Sequence, residues 1–200
     1  RRLVGSEMCI RDREKASSNS SLKRFTYILA GDGDLQEPIA LGASTLAGHW
    51  KLSNLIMFYD KNDIQIAGNT SRVDSTDYAM LYDAMGWHVQ EIDGHNHEEI
   101  RTALRNAQSN DKPSIIIGKT VIAKGSQSLE NSPKSHGSPF SEEEIKLTKE
   151  KLKIPQDSFY CNEDIINHFQ RNFGLLNEKV AEIDKELSLI HISEPTRRRH

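Results

Sequence analysis

The sequence predicts an α/β fold, a parallel sheet with helices on both faces. Three observations carry it. Short apolar runs rich in β-branched and aromatic residues recur between helical patterns. The runs are continuous rather than alternating, as they are in strands buried on both faces. Each run also ends in a cluster of turn-forming polar residues, and strands alternating with helices in this way form βαβ units.

Residues 25–30 (FTYILA) form the first strand, closed by Gly31-Asp32-Gly33. A helix follows, with Ile39, Ala43, Leu46 and Trp50 on one face. Residues 55–59 are the next buried strand and end in Asp60-Lys61-Asn62-Asp63. A helical stretch near 76–85 precedes a strand over 87–92, which ends in Asp93-Gly94-His95. Helix 97–108 places Ile100, Leu104 and Ala107 on one side, and Pro113 introduces SIIIGKTVIA, the longest β-rich run. Ser141 with Glu144 three residues on is a capping box that opens a further helix. Residues 14–152 therefore read as one domain. Residues 153–187 are charged and amphipathic, with a Pro155 break and an apolar pattern through Ile165, Ile166 and Phe169, and they read as a helical linker. Ligands of open parallel sheets sit outside the carboxyl ends of the strands. Four polar clusters fall at that edge: 31–37, 60–69, 93–97 and 124–139.

Composition narrows the class. The chain has 200 residues, 36% hydrophobic and 28% charged, which describes a soluble globular protein and excludes coiled-coil, collagen-like and wholly disordered chains. No apolar run approaches the roughly 20 residues needed to span a bilayer. A net charge of −3 without a basic stripe argues against a nucleic-acid partner. Two cysteines, Cys9 and Cys161, make no disulfide framework, so a cytoplasmic location is expected.

The two ends stand apart. Residues 1–13 and 188–200 share no periodicity with their neighbours, and the first lacks the apolar stretch of about 7–15 residues that a signal peptide needs. Both resemble in-frame translations of a sequencing-library adapter read in opposite orientations, and are expected to be non-native. Setting aside their seven arginines and three acids leaves 19 basic and 26 acidic residues, a net of −7, with Cys161 as the single cysteine. Adapters at both ends would mean that the gene continues past them.

The first chemical cluster is Gly31-Asp32-Gly33-Asp34-Leu35-Gln36-Glu37. A strand ending in Gly-Asp-Gly brings backbone close to a phosphate, while the aspartate offers a hard oxygen to a divalent cation. The helix that follows adds a positive N-terminal end for an anion. It is not an EF-hand, because Glu37 stands where the sixth loop residue should be glycine. It also lacks the Lys-Ser/Thr of a P-loop and the glycine spacing of a dinucleotide fold. The second cluster, Tyr59-Asp60-Lys61-Asn62-Asp63-Ile64, ends the next strand. An amide oxygen and a backbone carbonyl suit a Mg²⁺ that already carries phosphate oxygens. Taken alone, each cluster is an ordinary turn. Together, at adjacent strand ends, they form a more specific signal.

GDGDLQEP, LAGHWKLSNLI, YDKNDI, AMGWHVQEIDGHN and KTVIAKGSQSLENSPKSHGSP, in this order and spacing over about residues 25–150, resemble the amino-terminal, diphosphate-binding domain of transketolases. The resemblance implies a thiamine-diphosphate-binding fold, here incomplete, and transfer of a two-carbon ketol unit between sugar phosphates. It implies thiamine diphosphate and Mg²⁺ (or Ca²⁺ or Mn²⁺) as cofactors and a homodimer, while charge and apolar-run length leave no nucleic-acid or membrane partner expected. Asp32 and Asn62 would ligate the metal through side chains and Ile64 through its carbonyl, with Gly31 and Gly33 passing close to the diphosphate. Glu37 matches a glutamate of the carboxylate network near the subunit interface. His136 matches an active-site histidine that contacts cofactor and sugar, suited to proton transfer near neutral pH. Asp63 departs from the pattern, since many members carry glycine there.

His95 reads as a loop-structuring side chain, His49, His88 and His168 as surface or packing residues, Cys161 as inert, and Trp50 and Trp87 as core. The resemblance also implies substrate-binding histidines before residue 14 and a pyrimidine-binding domain after residue 187, so that the chain alone is inactive. The alternatives are another thiamine-diphosphate enzyme (a deoxyxylulose-phosphate synthase or a dehydrogenase E1 subunit), the N-terminal subunit of a split transketolase, and a non-catalytic Mg²⁺-binding module.

Overall fold

A computed structural model describes residues 24–193, with side chains through Lys185. The adapter-like residues 1–13 and 194–200, and the side chains of 188–193, lie outside the described residues. The chain divides after Ile154 into two units.

In the first unit, four parallel strands form a sheet in the order β1 (Thr26–Gly31), β2 (Leu55–Lys61), β6 (Ser114–Lys119), β5 (His88–Asp93). Their alternating side chains feed two cores. Leu55, Met57, Tyr59, Ile115 and Ile117 point to one face, beneath α2 (Pro38–His49) and α3 (Tyr78–Ala84). Ile56 and Ile116 point to the other and meet Ala103 and Ala107 of α4 (His97–Gln108). Helices cover both faces at the centre of the sheet, which is why β2 and β6 read as unbroken apolar runs, whereas at the β1 edge Tyr27 and Leu29 are 52% and 78% exposed. Asp77 and Asn96 cap α3 and α4 by accepting the amide of Met80 and those of Glu98 and Glu99.

Three expectations change. Residues 32–36 (DGDLQ) are not a turn but a short helix, α1 (Asp32–Gln36), and Gly31 at its start is in extended backbone. Of the anticipated face of α2, Trp50 packs partly buried against the core, and the rest is open. Ile39 is 67% and Leu46 46% exposed, and with Ala43 they line an apolar groove of about 620 Å³ beside Ile28 and Leu29 of β1. The buried residues are Ser44, Ala47 and Gly48. Small residues are required because the helix end runs against the end of α3, where a Cβ at Gly48 would sit 1.8 Å from the Met85 carbonyl oxygen. Lastly, the capping box of α5 (Glu142–Leu152) is only half formed. Ser141 accepts the Glu144 amide, but the Glu144 carboxylate turns to Ser128 instead of back to its own helix.

The second unit contains α6 (Glu163–Ser193), which bears Ile165, Ile166 and Phe169 exposed along its length. Among the described residues no helix is long and apolar enough to cross a membrane.

The register levels the strand ends: Gly31 pairs with Asp60, Asp60 with Gly118, and Gly118 with Ile92. The first residues beyond all four strands therefore open at one edge.

Candidate functional site

At that edge β1 and β2 hand over to the two loops singled out by their chemistry. Asp32, 5% exposed, opens α1 and reaches across to the neighbouring loop. Its Oδ2 accepts the amides of Asn62 at 3.3 Å and Asp63 at 3.0 Å, and its Oδ1 accepts the Tyr59 hydroxyl at 2.7 Å. Burial raises the Asp32 pKa above its ordinary value, and these three donors work against that rise. Asn62 folds its side chain back so that Oδ1 accepts the Ile64 amide at 3.0 Å. Ile64 then begins a two-residue strand, β3 (Ile64–Gln65), paired with β4 (Gly68–Asn69). Gly31, Asp32, Asn62 and Ile64 are thus one cluster, with Gly33 exposed in the first turn of α1.

The donor set suits a divalent cation that carries phosphate oxygens: one carboxylate, one amide oxygen and one backbone carbonyl. A carboxylate offers about four lone-pair sites, and three on Asp32 are filled, which leaves one on Oδ1. Among the described residues no group of three or more His, Cys, Asp or Glu converges on a metal position. The candidate rests on this mixed oxygen set.

The loop after β6 is fastened to the same edge. Thr120 donates its amide to the Lys61 carbonyl at 3.1 Å and its hydroxyl to Asp60. The Val121 amide donates to His95 Nε2 at 2.9 Å, so His95 has the loop-structuring role read for it. Glu144 accepts the Ser128 amide at 2.8 Å and hydroxyl at 2.7 Å, which holds its pKa below the ordinary value. The Lys151 ammonium donates to the Ser126 carbonyl at 2.8 Å. Beyond this anchored stretch lies His136, whose Nδ1 is, among the described residues, the one buried side-chain nitrogen or oxygen without a hydrogen-bond partner. Buried polar atoms are otherwise nearly always paired.

The described contacts do not bring every anticipated residue together. Glu37 is exposed at the start of α2, and no described hydrogen bond links it or His136 to Asp32 or Asn62. Asp63 takes the left-handed backbone conformation, φ 61°, and its carboxylate pairs with Lys119. That conformation is one that glycine adopts without strain. Sequence reasoning missed Tyr59, Glu144 and the Thr120–Asp60 link. A tyrosine inside a buried strand run was the available signal for Tyr59, because a buried phenol needs a hydrogen-bond partner.

The family description "Transketolase, thiamine diphosphate binding domain" matches residues 6–199. This chain belongs to the transketolase family. It is 42% identical over 141 residues to the transketolase of Sinorhizobium medicae, covering 70% of this chain and 20% of that one. It is 38% identical over 172 residues to the chloroplastic transketolase of Spinacia oleracea, covering 81% and 23%. Among solved structures, the transketolase of Campylobacter jejuni superposes with a TM-score of 0.84 at 35% identity over 97% of this chain and 32% of that one. For the Leishmania mexicana transketolase the TM-score is 0.90 at 29% identity, over 96% and 30%. The chain spans about a fifth of the length of the curated transketolases it matches.

Proposed function

We propose that this chain forms the cation- and diphosphate-binding half of a transketolase active site, and that the whole protein transfers a two-carbon ketol unit between sugar phosphates. The observation that carries the reading is the buried Asp32 carboxylate at the carboxyl edge of the sheet, gathering the Asn62–Ile64 loop around itself. Asp32, Asn62 and the Ile64 carbonyl hold Mg²⁺, or Ca²⁺ or Mn²⁺ in its place, and Gly31 and Gly33 let the backbone approach the diphosphate. Thiamine diphosphate, when bound, supplies the carbanion chemistry, and the protein supplies binding, orientation and electrostatics. His136, with an imidazole nitrogen unpaired in a buried position, contacts cofactor and sugar substrate and is suited to proton transfer or hydroxyl recognition. Glu37 belongs to the carboxylate network at a homodimer interface. The protein is cytoplasmic, and neither nucleic acid nor membrane is a partner.

Calorimetric titration with thiamine diphosphate tests the reading. Saturable binding that requires Mg²⁺ and is abolished in Asp32→Ala is the expected result. Binding indifferent to the cation contradicts it, as does ketol transfer by these 200 residues alone at the rate of a full-length enzyme.

A further inference from the structure

Asp32 is held by a residue that none of the cofactor chemistry assigns. Tyr59 lies one position before the β1–β2 pair Gly31–Asp60, directly beside Ala30, and is 2% exposed. Its ring is clamped edge-on by Tyr78 at 5.6 Å between centroids, and the Tyr78 hydroxyl is tied in turn to Asp74 at 2.7 Å. The Tyr59 hydroxyl therefore has a fixed origin in the core. It donates to Asp32 Oδ1, the oxygen with the remaining free lone pair, while both loop amides go to Oδ2.

We propose that Tyr59 is a positioning residue for the cation site, and the proposal rests on the reading of Asp32 as a cation ligand. A carboxylate can rotate about its terminal torsion and can offer one oxygen or two. With the two loop amides on one oxygen and the phenol on the other, Asp32 is restricted to one orientation and presents a single acceptor site. Removing the phenol leaves both acceptor sites of Oδ1 open and the torsion held from the Oδ2 side alone. Partners behind a metal ligand typically set affinity by about 10–100-fold. A merely structural tyrosine, satisfied by whichever carboxylate lies near, would move stability and leave cation affinity unchanged.

The test titrates Mn²⁺ into the full chain with thiamine diphosphate present, following free Mn²⁺ by electron paramagnetic resonance. Tyr59→Phe is expected to weaken Mn²⁺ binding about 10–100-fold. Tyr82→Phe removes a buried tyrosine hydroxyl of the same core that meets Ser44 and not Asp32, and is expected to bind as the unaltered chain does. Asp32→Asn tests the underlying reading. If the unaltered chain takes up no Mn²⁺, or Asp32→Asn binds equally well, that reading and the proposal fall together. If Asp32→Asn is impaired and Tyr59→Phe stays within twofold of the unaltered chain, the Tyr59 proposal alone is overturned. Should Tyr59→Phe not fold, fluorine NMR of the unaltered chain labelled with 3-fluorotyrosine decides. The Tyr59 resonance should move on Mg²⁺ saturation while that of Tyr27, 52% exposed on β1, does not. A stationary Tyr59 resonance overturns the proposal.

Discussion

The two loops that meet at the carboxyl edge of the sheet are built in opposite ways. The 60–64 loop is gathered by one buried side chain, and every donor facing Asp32 is used within the chain. The loop after β6 is fastened along its first part, by His95, Thr148, Glu144 and Lys151, while the histidine further along keeps a buried nitrogen unpaired. On the proposed reading, the cation side is thus organised by the chain's own groups, while the loop that carries His136 is fastened only over its first part. Preorganising a hard-ion site makes sense because its ligands must stand at fixed distances. A histidine that handles protons instead needs an unspent nitrogen.

The largest expected effect breaks the first loop. Asp32→Ala leaves the Tyr59 hydroxyl and the Asn62 and Asp63 amides without their acceptor. At about 1 kcal/mol or more for each buried unpaired group, roughly 3 kcal/mol of stability should be lost in urea unfolding. Next is the junction between the loops. A Cβ at Gly94 would stand 2.5 Å from Thr120 Cγ2 and 3.0 Å from the Lys119 carbonyl oxygen. Gly94→Ala should therefore cost about 1–3 kcal/mol by the same measurement. A loss below the error of the measurement would mean that the junction yields freely.

The second loop should respond locally. Glu144→Ala removes both acceptors of Ser128, and the Ser128 amide should exchange with deuterium roughly tenfold faster while Asn62 and Asp63 keep their protection. Equal acceleration in both loops would erase the distinction between them. Acid tests the same anchor. The Ser128 hydroxyl first, then its amide, hold Glu144 below its ordinary 4.5. Its contribution is therefore present above pH 4.5 and lost as pH falls through the lowered value. Glu144→Gln should flatten that part of the stability profile. Asp63→Gly is the smallest change. Relief of the left-handed backbone offsets loss of the exposed Lys119 pair, so a net change below about 1 kcal/mol is expected.

Much of the fold was legible in the sequence, and for a physical reason. Strands buried on both faces must be apolar throughout, so residues 55–59 and 114–117 announce themselves. Turn residues at their ends then mark the functional edge. What was illegible depends on contacts between distant parts of the chain. The inward face of α2 is Ser44, Ala47 and Gly48 because α3 passes close behind it, and no periodicity of α2 alone reports that neighbour. Glu144 has the spacing of a capping box, yet Ser128 competes for it from sixteen residues away. The residues proposed for the cation were singled out because their residue types carry the chemistry. Tyr59 heads the second cluster, yet its role escaped because its partner Asp32 lies 27 residues away in the chain.

The level register of the four strand ends has a consequence for length variation in related chains. Each strand residue advances the chain by about 3.3 Å and reverses the face its side chain occupies. A single residue inserted within β2 would lift Asn62 away from Asp32 and turn Tyr59 from one core to the other. Insertions and deletions should therefore collect in the connections, such as the β3–β4 hairpin, and be purged from the strands. The sheet acts as a fixed ruler against which the loops are free to change length.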